Sequence, residues 1–388
     1  MTASTLETFQ VEMLLGSRLT ASRSVRCLMR NLSWTASTNP VEFSMADIGK
    51  LYKVEAAISE ELNLNKTLPV HYRSQLNTFK ECVWMCRAPL LEVINCLKSV
   101  NSEKPSLRIV LWGPYGTGKT MTLNQTVHYA HQEQFVVVHI PTVMRWTRMR
   151  TPHQLSTHKP GRLDIPLHAT EMLQLFKQQN QHVWSKLNEL KTEREYAWTK
   201  VEKTAAERPV TDIVDMGISA PFTATDCVGA LFRELRRHAS LKNIKLLVAI
   251  DQANSLYGKT KIKKADFTWA TSDEVSIVIQ TRKFLRNDWR NGACVIVADQ
   301  AEISDFYDTL TVPLITPREL FGQEVFESID PFVPIETRHY TKQEADVIFD
   351  YYCDKKWITK GNSKEGRLQT FYLSGFNPYN YERLCAFT

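Results

Sequence analysis

Five short apolar runs punctuate the chain, at residues 107–112, 135–140, 244–250, 293–298 and 333–337. Each has the length of a buried strand and falls far below the roughly 20 apolar residues that cross a bilayer. Between the runs, apolar positions recur at intervals of three and four, most clearly over 120–131, 226–238 and 273–287. That spacing predicts helices packed by one face. Strands alternating with helices predict an α/β fold: a parallel, doubly wound five-stranded sheet with ligand sites at the carboxyl ends of its strands.

Other stretches fall outside this alternation. Residues 46–64 and 76–100 carry helical spacing, as does 167–201, where Leu173, Phe176, Trp184, Leu187, Leu190 and Trp198 form an apolar stripe among many charges. The last is expected to be a long inserted helix or hairpin. Helical patterns at 341–357 and 367–387 predict a small, mostly helical C-terminal module. No internal repeat is evident.

The first apolar run delivers GPYGTGKT, which satisfies GxxxxGK[ST] in full: Gly113, Pro114, Tyr115, Gly116, Thr117, Gly118, Lys119 and Thr120. The glycines let backbone amides turn inward around phosphates, and the following helix presents its positive end to them. Lys119 is expected to reach the outer phosphates and Thr120 to place its hydroxyl on Mg²⁺. Strand, glycine loop and helix in that order predict a P-loop NTPase with an AAA/STAND-like sheet. Asp251 ends the run LLVAID, the position of a carboxylate that orders a magnesium shell. The next residue is Gln252, which cannot act as a base, and Asn254 cannot either. Asp299 and Gln300, at the end of the next run, are weak candidates for a γ-phosphate sensor or for strand caps. No base-reading motif separates guanine from adenine. Arg318 is expected in a structural ion pair rather than on phosphate.

The plan that follows has four parts: residues 1–40 as an arm, 41–104 as an N-terminal helical segment, 105–338 as the nucleotide-binding domain with a helical insertion near 165–205, and 339–388 as the C-terminal module. The arm has no acidic residue from Met13 to Val41 and carries Arg18, Arg23, Arg26 and Arg30 among serines. It fits a mitochondrial transit peptide, or failing that a disordered basic arm. Glu7 and Glu12 are out of character for a presequence, which suggests either Met13 as the working start or that the upstream residues are tolerated.

Formal net charge is +6, and its distribution matters more than its size. Arg145, Arg148, Arg150, Lys159 and Arg162 lie in a stretch without acids, Lys259, Lys261, Lys263 and Lys264 in an expected loop, and Arg233, Arg236, Arg237, Lys242 and Lys245 just before it. Such clusters suit the phosphate backbone of RNA, read without sequence, or a merely solvated surface. Neither DNA nor a membrane is expected as a partner. The eight cysteines show no CxxC pair, so core packing is expected of them; Cys82 and Cys86 are placed to share a helical face.

Taken together, GTGKT, the HIP at 139–141, LLVAID with Asn254 to Gly258, NDW at 287–289, REL-G…IDPF-PI over 318–335 and NPxxxER at 377–383 resemble the death-associated protein family over roughly residues 70–388. Its members are GTP-binding proteins of the mitochondrial small ribosomal subunit. The resemblance implies GTP or GDP with Mg²⁺ on the loop 113–120 and Asp251, with ATP also compatible with the residues. It further implies residence on the mitochondrial ribosome in the matrix, contact with small-subunit ribosomal RNA and neighbouring ribosomal proteins, and a part in apoptosis. Two positions depart from the family pattern: Gln252, where glycine is expected, and Asp299, where serine is usual. They leave hydrolysis and sensing open. An AAA-like or signalling ATPase or GTPase that remodels or scaffolds a complex is the competing reading.

Overall fold

Short strands β1 (Leu51–Val54) and β2 (Cys82–Met85) form an antiparallel pair with Leu51 opposite Met85 and Val54 opposite Cys82. Helices α1 (Val70–Phe79) and α2 (Ala88–Lys98) flank β2. Next come β3 (Leu107–Trp112), α3 (Lys119–Gln132), β4 (Val136–Ile140), α4 (Pro166–Gln179), α5 (Val210–Ser219), α6 (Ala224–Ser240) and β5 (Leu246–Ile250). A hairpin of β6 (Lys259–Lys263) and β7 (Trp269–Thr271) precedes α7 (Ser276–Arg282), β8 (Gly292–Val297) and β9 (Val333–Glu336). Helices α8 (Lys342–Asp354), α9 (Lys364–Ser374) and α10 (Pro378–Cys385) close the chain. This computed structural model describes residues 33–300, 315–358 and 363–386. The expected transit segment up to residue 32, Met13 and Cys27 lie outside the described residues, while Trp34 already pairs with Leu51.

The five expected apolar runs form one sheet of order β9-β3-β8-β5-β4, every neighbouring pair parallel. Parallel strands covered on both faces are apolar throughout, and β4, β5 and β8 are buried at every position. The period-two pleat then sorts their side chains. Val136, Val138, Leu246, Val248, Cys294 and Ile296 join the core under α4, α5 and α6. Val137, Leu247, Ala249, Val295 and Val297 join the core shared with α2, α3 and the β1–β2 pair. Each valine, leucine and isoleucine among them contributes about 1.5–3 kcal/mol when fully buried.

Several expectations are corrected or refined for local reasons. The helices foreseen over 46–64 and 76–100 are interrupted by β1 and β2, whose four residues each are too few to disturb helical spacing yet are nearly all buried against the core. Cys82 and Cys86 therefore sit on and just beyond a strand, not on a helical face, and burial pushes both thiols up to about 12. The insertion over 167–201 is no single long helix. It breaks after Gln179 because the Asn180 side chain pairs with the edge strand β4, donating to Val137 O at 2.8 Å and accepting from Val137 N at 2.7 Å. This satisfies backbone groups that an edge strand otherwise leaves open. A short helix, Trp184–Glu189, and a pair of two-residue strands follow, with Trp198 stacked on Tyr196. The pattern over 367–387 divides at Gly375 (φ +57°), after which Asn377 caps α10 by accepting from Tyr379 N and Asn380 N. Lys259 to Lys263 lie on a strand rather than in a loop. The cysteines resolve as expected: of the seven among the described residues, all but Cys96 are buried.

Candidate nucleotide site

Loop 113–120 runs from the carboxyl end of β3 into α3, with Gly113, Gly116 and Gly118 all at positive φ (+137°, +81° and +100°). At Gly116 the absence of a side chain is required twice over: a Cβ there would lie 2.5 Å from Asn377 Oδ1 and 2.8 Å from Tyr379 Cβ. Lys119 is buried, its ammonium donating to Gly113 O at 3.0 Å and Pro114 O at 2.9 Å. Thr117 Oγ1 bonds Pro114 O at 2.8 Å and Thr337 Oγ1 at 2.7 Å, tying the loop to the end of β9.

Thr120 Oγ1 donates to Asp251 Oδ2 at 2.7 Å, so the two expected magnesium residues stand side by side although 131 positions separate them. Gln252 N donates to the other carboxylate oxygen at 2.9 Å. Burial, and after it the charge of Asp299, pushes the Asp251 carboxyl up to about 7 despite the opposing pull of Thr120, Gln252 N–H and Lys119. Burial likewise lowers Lys119 against the pull of Asp299 and Asp251. The Asp251 carboxyl beside the Thr120 hydroxyl is an oxygen pair of the kind that would fit a hard divalent cation, and the Lys119 ammonium is of the kind that would fit phosphate.

Asp299 lines the cleft; Gln300 does not. Asp299 is fixed through its backbone, which exchanges two bonds with the Asn254 amide, Nδ2 to Asp299 O at 2.8 Å and Asp299 N to Oδ1 at 3.1 Å. Asn254 thus joins the ends of β5 and β8, a positioning role its failure as a base had hidden. Gln252 adopts φ +57° and ψ +44°, a left-handed conformation that glycine takes without cost. That is the position at which the resemblance leads to the expectation of glycine. Its Oε1 is buried without a hydrogen-bond partner.

The loop is also gripped from both ends of the chain. Arg87, just before α2, donates to Thr117 O (2.9 Å), Arg338 O (2.9 Å), His339 O (3.1 Å) and Glu344 Oε1 (3.0 Å), and lies 4.9 Å from the Tyr340 ring centroid. Asn377 Nδ2 donates to Tyr115 O at 2.7 Å and Tyr379 N to Gly116 O at 3.1 Å, while the Tyr115 and Tyr379 rings meet edge to face at 5.5 Å. Sequence reading did not assign these contacts. An Asn-Pro helix start at 377–378 was the one local signal; Arg87 has none. A cleft of about 460 Å³ opens beside the loop between α1, α8 and α10, lined also by His71, Tyr352 and Glu382. That size suits a small organic ligand.

The basic candidates divide. Arg145 pairs with Glu171 at 3.4 Å, and Arg148 reaches Tyr257 O at 3.5 Å, next to the β6–β7 hairpin. Arg150 and Lys159 are exposed and Arg162 is half-buried. Lys259, Lys261 and Lys263 point outward from β6, and Lys264 pairs with Glu274 at 2.9 Å. Three arginines of α6 are engaged internally: Arg233 with Glu193, Arg236 with Asp288, and Arg237 with the buried Glu234. Arg318 bonds Gln323 and stands away from the cleft.

A family model described as mitochondrial ribosomal death-associated protein 3 matches residues 84–384. The small ribosomal subunit protein mS29 of Bos taurus is 34% identical over 364 residues, covering 92% of this chain and 89% of the relative. The protein of the same name from Mus musculus is 34% identical over 359 residues, with 92% and 90% covered. That of Neurospora crassa is 26% identical over 110 residues, 28% of this chain and 23% of the relative. With the match spanning the glycine loop, Asp251 and the C-terminal helices that hold the loop, the chain belongs to the mitochondrial ribosomal death-associated protein 3 family.

Proposed function

We propose that this chain is a component of the mitochondrial small ribosomal subunit, resident in the matrix, which holds a magnesium nucleotide as a clamp on its own fold and contacts ribosomal RNA and neighbouring ribosomal proteins. In this reading the chain is a P-loop protein. The amides of 113–120 and Lys119 hold the phosphates, and Thr120 and Asp251 hold Mg²⁺. The metal offsets phosphate charge in the buried pocket. GTP or GDP is the expected occupant, with ATP the alternative.

The observation that carries the clamp reading is the double grip on the loop. Arg87 bonds Thr117 O, and Asn377 with Tyr379 bonds Tyr115 O and Gly116 O, so phosphates seated there brace segments nearly 300 positions apart in sequence. At the same site, Gln252 supplies no base for activating water, and Asn254 is committed to Asp299. Both favour holding over turnover, and they weigh against the remodelling-NTPase reading. An apoptotic role rests on the family resemblance alone.

The test is to fractionate mitochondria on a density gradient and compare wild type with Lys119→Ala. Wild type is expected with the small subunit, and the variant is expected to assemble poorly. Absence of wild type from the small-subunit fraction sinks the ribosomal reading.

A further inference from the structure

The β6–β7 hairpin has a composition that folding does not require. Along β6, buried Thr260 and Ile262 alternate with outward Lys259, Lys261 and Lys263. Ala270 of β7 is buried as well, and Trp269 and Thr271 point outward in register with Lys263 and Lys259. Trp269 is 53% exposed and Phe267, in the turn, 77% exposed. Phe267 also holds φ +66°, a left-handed conformation that is unfavourable for a bulky side chain. The ammonium of Lys263 lies 5.4 Å from the Phe267 ring centroid and 5.8 Å from that of Trp269. One face therefore carries two uncovered aromatic rings among three lysines.

That face is rigidly mounted. Asp266 accepts from Thr268 N at 3.0 Å and Thr268 Oγ1 at 2.7 Å, and Lys264 N donates to Thr268 O at 2.9 Å, which fixes the turn. Glu274 accepts from Thr271 N at 2.7 Å and pairs with Lys264 at 2.9 Å. At the foot, Arg282 stacks on Tyr257 at 4.4 Å and donates from Nε to Leu256 O at 2.8 Å. Rings and cations are thus pre-positioned before any partner arrives.

We propose that this hairpin is a stacking platform for unpaired RNA: bases lie on Trp269 and Phe267, and the adjoining phosphates meet Lys259, Lys261 and Lys263. The exposed rings decide against an acid-rich protein surface, which would use the lysines and leave the rings idle; unpaired nucleotides use both. A duplex hides its base faces, so it engages only the lysines. The proposal rests on the ribosomal reading for its choice of RNA.

The test uses the purified full chain with its nucleotide, titrated with a fluorescent single-stranded RNA, a duplex of the same sequence, and an acidic peptide. The double variant Trp269→Ala with Phe267→Ala is expected to weaken single-strand binding about tenfold or more while leaving duplex binding unchanged. Trp269→Phe retains most of the affinity. Replacing the three lysines by glutamine is expected to weaken both RNAs and to lower the slope of log affinity against log salt by about 2. Equal loss for single strand and duplex in the aromatic variant, or no loss, overturns the platform. So does tighter binding of the acidic peptide than of RNA, lost in the same variant. Co-sedimentation of each variant with the small subunit is measured in parallel. A wild-type chain that does not co-sediment fails the ribosomal reading, whereas one that does and whose single-strand binding ignores Trp269 fails the platform alone.

Discussion

The glycine loop and the β6–β7 hairpin both follow strands of the α/β core, yet they are built in opposite ways. The loop is closed in by Thr337, Arg87, Asn377 and Tyr379 and buries a charged lysine. The hairpin leaves a tryptophan, a phenylalanine and a row of lysines in the open. A site that holds a small anion tightly needs donors fixed in a pocket sheltered from water, where each is electrostatically strong. A surface that meets a large, irregular partner needs reach and exposed π-faces instead. The loop is therefore expected to couple binding to the stability of the fold, and the hairpin to be nearly independent of it.

The largest expected effect tests that coupling. Arg87→Ala removes a partly buried ion pair with the buried Glu344 and three further bonds to backbone carbonyls. It leaves the Glu344 carboxylate without its cation, and is expected to cost about 3–5 kcal/mol by urea unfolding. Trp269→Ala at the hairpin is expected to change stability by less than about 0.5 kcal/mol. Similar costs at the two sites would break the comparison.

Acid provides a second probe of the packed side. His128 on α3 and His139 on β4 are buried, and burial lowers each to about 3. A base whose folded value lies below its unfolded one contributes stability that is intact above about 6.5 and is lost as pH falls toward 3. Between pH 6.5 and 5 each histidine is expected to remove about 2 kcal/mol, and His128→Phe to remove its own share of that slope. Urea titrations at the two pH values measure it; a flat profile would mean that these rings accept protons in the fold.

The smallest effect concerns Gln252. Gln252→Gly relieves a left-handed residue but loosens the unfolded chain, so stability is expected to move by less than about 1 kcal/mol. Nucleotide retention should not change, since Gln252 meets the site through its backbone N–H. A marked loss of bound nucleotide would assign its side chain a direct part in the grip.

What could be read beforehand follows the same division. The five strands were legible because buried parallel strands are continuous apolar runs, and the loop because only its glycines permit that backbone. Asp251 was legible as the acid at the end of such a run. Arg87 and Asn377 were not, because their partners lie 257 and 262 positions away and a lone arginine or asparagine announces none of them. β1 and β2 were lost inside helical spacing because four residues fit either period. The β6 lysines were visible as charge, but the two exposed rings beside them acquired meaning only once the register set Trp269 opposite Lys263 and the turn brought Phe267 against the same lysine.

The central claim is that the loop holds a nucleotide rather than spending it. The direct measurement is the nucleotide content and phosphate release of the purified chain, alone and in the small subunit, beside Lys119→Ala and Asp251→Asn. The account predicts bound magnesium nucleotide that survives purification with little or no phosphate released, and its loss in Lys119→Ala. Sustained multiple-turnover release of phosphate, abolished by Asp251→Asn and indifferent to the ribosome, would contradict it.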